Sequence, residues 1–472
     1  MAGMEENPLD LLPEVLLAAS AVGGLLLGCW LPRARQWPVA ALGYGAAAAG
    51  IVAAALQPPG PAFGGAFVVD DVTSASRIIV LGGLLVVLAL GVRPLAGHPR
   101  QSEYAVLLQL ASLGALLLAG SADLLLLAAA YLLASVPSYV LAGFGKDAAG
   151  TEAAMKYYVV GALLGIVMLG GITLLYAAAR GVGYPALRAE LPGGPLALAT
   201  VGVVAVTAGL LFKAGGVPGH FWVPDAVQGS AAPVAAFLTT VPKVAALAAL
   251  YRLGAEAVAG AEVPWAALVA VVSAASMTLG NLAAFFQQDV RRLLAYSTIS
   301  QVGYLLLPVA VVGRTGLAQP ALLFYLAAYA LTNLGAFAVV CAVPGRRTID
   351  AYRGLGRRSP ALVGALAVCL LGLVGTPPTA VFLGKVTAFS AAVDGGFAWL
   401  AVVAAANTVA SLFYYLRWIA PTVATFRGPG PAGAAGAAGL VRPAAVTAYA
   451  AAAGSVALGL VGGPVLALLE GS

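Results

Sequence analysis

Residues 209–225 read GLLFKAGGVPGHFWVPD, an apolar run that contains a lysine and then several helix-breaking residues. Lys213 stands inside the run, and Gly215, Gly216 and Pro218 follow it at once. Proline removes a backbone donor and clashes with the preceding helical turn. In a bilayer, backbone groups freed by such a break are tolerated only against protein or a water-filled cavity. The stretch therefore predicts a membrane helix that is interrupted beside a buried lysine.

The composition of the whole sequence indicates a polytopic membrane protein. Of the 472 residues, 61% are hydrophobic and 9% are charged, whereas a soluble domain has about 25% charged residues. So few charges cannot cover a surface that faces water, but lipid solvates an apolar surface. The net charge of +6 does not indicate nucleic-acid binding, because the basic residues lie in short loops between apolar runs.

The cysteines and the N-terminus add no further chemistry. Cys29, Cys341 and Cys369 each lie in or beside an apolar run, so we expect apolar packing rather than a disulfide or metal site. The N-terminal segment MAGMEENPLD has no basic region before the first apolar run. We therefore expect that run to be a membrane span rather than a cleaved signal peptide.

A transmembrane helix needs roughly 20 mostly apolar residues, and the sequence has fourteen candidate spans. Only the tripeptide SAD separates the fourth span from the fifth. The predicted spans are 9–31, 38–57, 74–92, 103–121, 123–144, 156–179, 195–217, 230–252, 265–285, 294–313, 320–343, 361–388, 397–420 and 444–469.

The basic residues of the loops predict the orientation. One face carries only Arg180, Arg188, Arg252 and Arg314. The other face carries Arg33, Arg35, Arg93, Arg100, Lys146, Lys156, Arg291, Arg292, Arg346, Arg347, Arg353, Arg357, Arg358, Arg427 and Arg442. Because short loops rich in Lys and Arg stay in the cytoplasm, we predict both termini on the non-cytoplasmic face.

Lys213, Lys243 and Lys385 fall inside predicted spans. A lysine at a helix centre costs roughly 2.5–3.5 kcal/mol on insertion scales. A single lysine near a helix end can reach the headgroups, but three of them in a core with almost no other charge favour a function. Burial disfavours the charged form of an amine, so such a lysine can take up and release a proton near neutral pH.

Residues 375–385, GTPPTAVFLGK, repeat the pattern of the first break. Gly375 lies three residues before Pro378, as Gly215 lies three residues before Pro218. Two interrupted spans in corresponding places indicate an internal repeat with its site at the breaks. The alternative is that glycine and proline are simply common in membrane helices.

The two breaks lie five spans apart, so the second copy is predicted to be inverted. Spans 4–8 and 9–13 then form two inverted five-helix repeats of an all-α membrane protein, with spans 7 and 12 broken. We accordingly predict a three-helix segment at 1–100 and repeats at 101–253 and 254–425. A flexible loop and a C-terminal helix are expected at 426–472.

Several polar residues are candidates for a proton relay. His220 follows the first break and titrates near neutral pH, although a bond to the helix terminus is an equal alternative. Ser297, Ser300, Gln301 and Tyr304 share one helix face by their i, i+3 and i+4 spacing. That face could hold a row of waters, or it could only bond to neighbouring helices.

The remaining polar residues are predicted to have structural roles. Asn333 and Asn407 lie in mid-span and are expected to bond between helices. Asp225 is expected to end the seventh span or to pair with a basic loop.

Five segments together resemble the antiporter-like membrane subunits of respiratory complex I, the NADH:quinone oxidoreductase. The segments are FKAGGVPGHFWVPDAVQGSAAPVAAFLTTVPK, RRLLAYSTISQVGYLLL, EAAMKYYVVGA, FYLAAYALTNLGAFAVV and DAYRGLGRRSPAL. The last segment with the following Pro-Pro and Lys385 is similar to subunit N in particular. So are the fourteen spans and the interval of thirty residues between Lys213 and Lys243. The resemblance covers roughly residues 100–420.

The resemblance implies a subunit that moves protons without carrying a redox cofactor. Lys213 and Lys385 would belong to two half-channels, and Lys243 would lie between them on a polar axis. NADH, FMN, Fe–S clusters and quinone are expected in partner subunits. The expected partners are the other membrane-arm subunits and the lipid of a bacterial plasma membrane.

The sequence departs from the family pattern at acidic positions. The resemblance implies a glutamate in span five, five residues before its proline and beside the lysine of span seven. Leu132 stands at that position here, next to Tyr131, so we expect position 132 to face Lys213. Gln228 stands where glutamate is usual, and Gln301 where subunit N commonly has histidine. We therefore expect Lys213 to matter less than Lys385 in this divergent copy.

Two other functions remain open at this point. The chain could be a subunit of a cation/proton antiporter, since such antiporters share the fold, or a scaffold that does not pump. The sequence contains no Gly-rich phosphate loop after a strand and no cysteine cluster. Any electron transfer would thus occur in partners.

Overall fold

The computed structural model describes residues 8–423 and 440–470. The first ten helices are α1 (Leu12–Trp30), α2 (Trp37–Leu56), α3 (Asp71–Gly91), α4 (Gln101–Gly120), α5 (Leu124–Ala142), α6 (Ala148–Ala179), α7 (Tyr184–Glu190), α8 (Leu196–Ala214), α9 (Trp222–Gly229) and α10 (Ala232–Arg252). The others are α11 (Trp265–Ala284), α12 (Val290–Ala310), α13 (Ala318–Ala342), α14 (Leu355–Arg358), α15 (Pro360–Val374), α16 (Ala380–Asp394), α17 (Ala398–Val423), α18 (Arg442–Leu460) and α19 (Gly462–Glu470). Most of the loop predicted after α17 lies outside the described residues.

The described residues contain 13 helices that are long and apolar enough to cross a membrane. The predicted twelfth span, 361–388, corresponds instead to two shorter helices, α15 and α16. The division between the fourth and fifth spans is confirmed, because α4 ends at Gly120 and α5 begins at Leu124. A small antiparallel ribbon joins β1 (Gly60–Ala62) to β2 (Phe67–Val69) between α2 and α3.

The helices that carry polar residues lie at the centre of the bundle. Nearly all residues of α10, α12 and α13 are buried, whereas only about a third of the residues are buried in α1, α2, α6, α17 and α18. A membrane-exposed surface is expected to be apolar, and these outer helices expose large apolar side chains such as Leu26, Val52 and Ile166.

The starts of α5 and α12 show the internal repeat at atomic detail. Asp123 caps α5 through the amides of Leu125 and Leu126, and Asp289 caps α12 in the same way. Each cap residue also forms an isolated antiparallel bridge, Asp123 with Gly183 and Asp289 with Thr348. The two starts are five spans apart and therefore lie on opposite membrane faces, so the two five-helix units are inverted as predicted.

Both predicted breaks are present, and each begins with the same helix C-terminal motif. Gly215 and Gly375 have φ of 74° and 92°, the left-handed region that glycine adopts at little cost. Gly216 N donates to Leu211 O at 2.9 Å, and Thr376 N donates to Leu371 O at 3.1 Å. These are the six-to-one bonds of a Schellman cap. The Val217–Pro218 and Pro377–Pro378 bonds that follow are cis.

A buried ion pair attaches the first helices to each other. Arg77 of α3 bonds both carboxylate oxygens of Glu14 of α1, at 2.8 and 2.7 Å, and also bonds Gln57. The side chain of Arg77 is fully buried. It is kept in the protein interior by this pairing, since a buried charge is tolerated only with hydrogen-bonding partners.

Candidate functional site

Lys213, Lys243 and Lys385 are all buried, with exposed fractions of 0, 0 and 3%. Among the described residues, none of them forms a salt bridge with a carboxylate. Their positive charges therefore depend on carbonyls, hydroxyls and aromatic faces. None of the three reaches the surface, so snorkelling does not explain them.

Lys213 lies in the last turn of α8, and its side chain contacts α5, the fifth span. Its Nζ donates to Ser135 Oγ at 2.9 Å and lies 5.9 Å from the centre of the Tyr131 ring. Leu132 does not lie beside it, because that side chain is 49% exposed on the outer surface of α5. The expectation that position 132 faces Lys213 is wrong: residues one turn apart, 131 and 135, share the inward face, and 132 is rotated by about 100°.

Lys243 of α10 binds the carbonyl that the first break releases. Its Nζ donates to the oxygen of Ala214, the residue just before Gly215. The ammonium also lies 5.8 Å from the Trp222 ring, and Trp222 Nε1 donates to Phe212 O at 2.9 Å. The last carbonyls of a helix have no partner within it, so the break provides acceptors for both side chains.

Lys385 of α16 uses the second break in the same way. Its Nζ donates to Val374 O at 2.9 Å, and Val374 is the residue just before Gly375. It also bonds Thr408 Oγ1 at 3.3 Å and lies 3.9 Å from the centre of the Tyr304 ring. Both breaks thus place one freed carbonyl against one buried ammonium.

Hydroxyls and an amide occupy the space between Lys243 and the second break. Thr239, one helical turn from Lys243, accepts from Tyr329 OH at 2.6 Å through its carbonyl, and that hydroxyl lies 3.2 Å from Thr298 Oγ1. One turn further along α12, Gln301 Nε2 donates to Leu373 O at 2.7 Å. Leu373 precedes the carbonyl that binds Lys385, so polar groups follow one another from one lysine towards the other.

The other relay candidates differ in their surroundings. Ser297 bonds the Tyr415 hydroxyl, and Gln301 accepts from Tyr325 OH at 2.7 Å. The Ser300 hydroxyl has no hydrogen-bond partner among the described residues.

His220 is half-buried and lies two residues after Pro218 of the first break. Its ring lies 4.4 Å from that of Phe221, tilted by 32°, and Phe221 is 67% exposed. Its Nδ1 has no partner in the described part of the chain. No hydrogen bond joins this ring to the three lysines within those residues, so the break does not bring it to them.

Sequence reasoning did not identify several side chains that touch the site. Ser135, Thr408, Tyr329 and Tyr325 lie in apolar runs, where a hydroxyl is usually packing or helix-bonded. The structural roles that the sequence predicts are observed. Asp225 pairs with Arg292 at 2.7 Å and with Lys156 at 3.0 Å, and the asparagines bond other helices.

Comparison with known proteins shows to which family of membrane subunits the chain is similar. Residues 121–411 match a family model described as NADH:quinone oxidoreductase/Mrp antiporter, membrane region. The chain is 53% identical over 89% of its length to NADH-quinone oxidoreductase subunit N 1 of Streptomyces griseus, covering 90% of that protein. It is 50% identical to the subunit N of a Mycobacterium species, with 98% of both chains covered.

Solved structures show the same fold. A chain of respiratory complex I from Thermus thermophilus, solved with bound aureothin, is 34% identical with a TM-score of 0.83, and the match covers 97% of this chain and 99% of that one. A chain of the Mrp complex from a Dietzia species has a TM-score of 0.84 at 22% identity, with 98% and 97% covered. The second likeness concerns the fold alone.

Proposed function

The chain belongs to the family of membrane subunits named NADH-quinone oxidoreductase subunit N, and we propose that its three buried lysines carry protons along the axis between the two breaks. It is a membrane-arm subunit of a bacterial complex I, with other membrane subunits of that complex as partners. Among the described residues no group of His, Cys, Asp or Glu could hold a metal ion. We propose that the redox cofactors of the complex lie in partner subunits.

The proposed transfer uses groups that can both donate and accept. An ammonium at Lys243 gives up a proton towards the hydroxyls of Tyr329 and Thr298, which lie 3.2 Å apart. The hydroxyls pass a proton on without keeping a charge. A neutral amine at Lys385 receives the proton and becomes an ammonium, which the Val374 carbonyl and the Tyr304 ring stabilise.

The observation that carries this proposal is the matched pair of contacts at the breaks. In each break the carbonyl before the left-handed glycine accepts a hydrogen bond from a buried lysine. A charge-assisted hydrogen bond is worth about 1.5–3 kcal/mol, which offsets only part of the cost of burying a charge. Three buried lysines that have no carboxylate partner in the described part of the chain are costly for a purely structural helix bundle.

The test is proton uptake by the assembled complex in vesicles, measured per NADH oxidised. We expect Lys213→Ala, Lys243→Ala and Lys385→Ala each to lower this ratio while the complex still assembles. The loss should be larger for Lys385 than for Lys213, which has fewer partners. Lys146→Gln, at an exposed loop lysine, is the matched control and should leave the ratio unchanged.

If all three lysine variants assemble fully and still take up the normal number of protons per NADH, the proposal is contradicted and a scaffold role is favoured. Equal and severe losses at Lys213 and Lys385 would instead show that a partner subunit supplies the missing acidic group. Cation-dependent proton release in vesicles that lack the redox subunits would favour an antiporter.

A further inference from the structure

A cavity of about 560 Å³ opens between the end of α1 and the start of α4, on the face predicted to be cytoplasmic. Its charged residues are Arg33, in the connection between α1 and α2, and Arg100 and Glu103 at the start of α4. Leu25 and Val106 contribute apolar walls. Val106 lies six residues beyond Arg100, about 9 Å further along α4 at 1.5 Å per residue. The cavity therefore has a charged region and a deeper apolar region.

Hydrogen bonds of one buried amide hold the walls of this cavity together. Gln36, which is 4% exposed, donates from Nε2 to Gly28 O at 3.2 Å. Its Oε1 accepts from the backbone amide of Ser102 at 3.3 Å and from the Ser102 hydroxyl at 3.1 Å. The helices α1 and α4 also approach closely here, because a Cβ on Gly28 would lie 2.8 Å from Ser102 Cβ. The shape of the cavity is thus fixed by contacts between α1, the connection and α4.

Two exposed tryptophans place the cavity at the level of the lipid headgroups. Trp30 ends α1 and is 87% exposed, and Trp37 begins α2 and is 66% exposed. Tryptophan is enriched at the interface between membrane and water. Arg33 lies between these two residues in the sequence, so its guanidinium is expected among the phosphates of the lipid.

The charged side chains of the cavity do not neutralise one another. Among the described residues, none of Arg33, Arg100 and Glu103 forms a salt bridge. Arg100 donates to Phe144 O at 2.8 Å and lies over the Phe144 ring, whereas Glu103 accepts from the Ser102 hydroxyl at 2.9 Å. A guanidinium has five N–H donors, so Arg100 keeps donors for a ligand.

This set of charges selects the chemistry of the ligand. Guanidinium groups bind phosphate oxygens through paired, charge-assisted hydrogen bonds, and basic pockets between membrane helices on the cytoplasmic side bind lipid headgroups. The Glu103 carboxylate repels a purely anionic headgroup but accepts hydrogen bonds from a primary ammonium. Arg100 and Glu103 stand three residues apart, which makes them neighbours on one helix face. A phosphate and an ammonium joined by two carbon atoms can contact both.

We propose that this cavity binds phosphatidylethanolamine from the membrane. The phosphate lies against Arg33 and Arg100, and the ammonium donates to Glu103. An acyl chain follows the apolar walls at Leu25 and Val106. The bound lipid joins the connection between α1 and α2 to the start of α4, and it takes no part in the proposed proton transfer.

Cys29 provides a native reporter for occupancy, because it lines the cavity and is exposed. The experiment places the assembled complex in nanodiscs of phosphatidylcholine, alone or mixed with phosphatidylethanolamine or phosphatidylglycerol. A water-soluble maleimide is added, and mass spectrometry follows alkylation of the peptide that contains Cys29. We expect phosphatidylethanolamine to slow this alkylation several-fold. Phosphatidylcholine has no N–H donor on its ammonium and phosphatidylglycerol has no ammonium, so both should protect less.

Substitutions assign the two halves of the headgroup. Arg33→Gln and Arg100→Gln should each abolish protection by phosphatidylethanolamine. Glu103→Gln should transfer the preference to phosphatidylglycerol, because the repulsion of an anionic headgroup is then removed. The matched control is Arg93→Gln, which removes the same charge from an exposed residue of the same loop as Arg100, outside the cavity lining. It should leave protection unchanged.

Several outcomes would overturn this inference. Equal protection by the three lipids, or full protection in both Arg33→Gln and Arg100→Gln, means that the cavity does not recognise the headgroup. A loss in Arg93→Gln as large as in Arg33→Gln means that general surface charge attracts the lipid. Protection by soluble glycerophosphoethanolamine equal to that by the lipid overturns the membrane origin of the ligand. A preference for phosphatidylethanolamine that persists in Glu103→Gln overturns the contact with the ammonium. Proton uptake is not measured here, so none of these results bears on the proposed function.

Discussion

At the scale of single residues, the buried lysines are surrounded by neutral partners. Lys385 has a carbonyl, a hydroxyl and an aromatic face, and a desolvated cation–π contact is worth up to about 2 kcal/mol. Among the described residues, Lys213 has only Ser135 and the more distant Tyr131 ring as partners. Because no fixed carboxylate holds the charge of either lysine within the described residues, each can lose its proton without leaving an unpaired anion behind.

Ser135→Asp is predicted to restore a counter-charge to Lys213. Ser135 Oγ already lies 2.9 Å from Nζ, and a carboxylate within roughly 4–6 Å favours the protonated amine. The pH dependence of proton uptake should therefore move to higher pH. Leu132→Asp is the matched control, because position 132 faces outward. Equal shifts in both variants would show that the effect is not local to Lys213.

At the scale of helices, each break depends on a glycine in the left-handed conformation, which any residue with a Cβ would adopt only at a cost in free energy. A Cβ on Gly215 would lie 2.5 Å from Lys243 Nζ and 2.8 Å from Val223 Cγ2. A Cβ on Gly375 would lie 2.9 Å from Lys385 Cδ. The left-handed conformation and the position of the ammonium are therefore set by the same residue in both repeats.

Gly215→Ala and Gly375→Ala are predicted to lower both stability and proton uptake. The left-handed conformation costs a residue with a Cβ about 1–2 kcal/mol, and the added methyl group displaces the lysine. Thermal denaturation and proton uptake of the purified complex measure the two effects. Gly364→Ala, in a helix where the new Cβ meets nothing within 4 Å, should be neutral or slightly stabilising. Unchanged uptake in both break variants would contradict the role given to these glycines.

At the scale of the whole molecule, two inverted five-helix units carry the site, and the first three helices pack against them. The α3 helix contacts α10 and α13, so the N-terminal segment reaches the central helices directly. Arg252 of α10 strengthens that attachment by bonding Asp70, the cap of α3, at 2.7 Å. The pair formed by Arg77 and Glu14 then holds α1 to α3.

Glu14→Gln is predicted to destabilise the N-terminal segment by about 3–5 kcal/mol, because it leaves Arg77 as an uncompensated buried charge. The yield of assembled complex and its midpoint of thermal denaturation report the change. The double variant Glu14→Gln with Arg77→Met should recover most of the stability, since replacing both charges removes the desolvation cost. If Glu14→Gln is as stable as the wild type, hydrogen bonds from Arg77 to Gln57 and to the backbone are enough to stabilise its buried charge.

Much of this architecture can be predicted from the sequence because its causes are local. The number of spans follows from the length of apolar runs, and the breaks follow from glycine and proline within them. The three lysines are evident for the same reason, because a charged residue inside an apolar run can be recognised without knowing its neighbours in space. The inversion of the repeat follows from counting spans between the two breaks.

The tertiary structure decided which side chains meet the lysines. Ser135 lies 78 residues from Lys213, and Thr408 lies 23 residues from Lys385. Helices that are apolar all round give no periodic signal for the face that they bury. The family resemblance therefore predicts Leu132 beside Lys213, whereas the packed helix turns Tyr131 and Ser135 towards it. The contacts of each lysine depend on the rotation of helices that are distant in sequence, and packing alone sets that rotation.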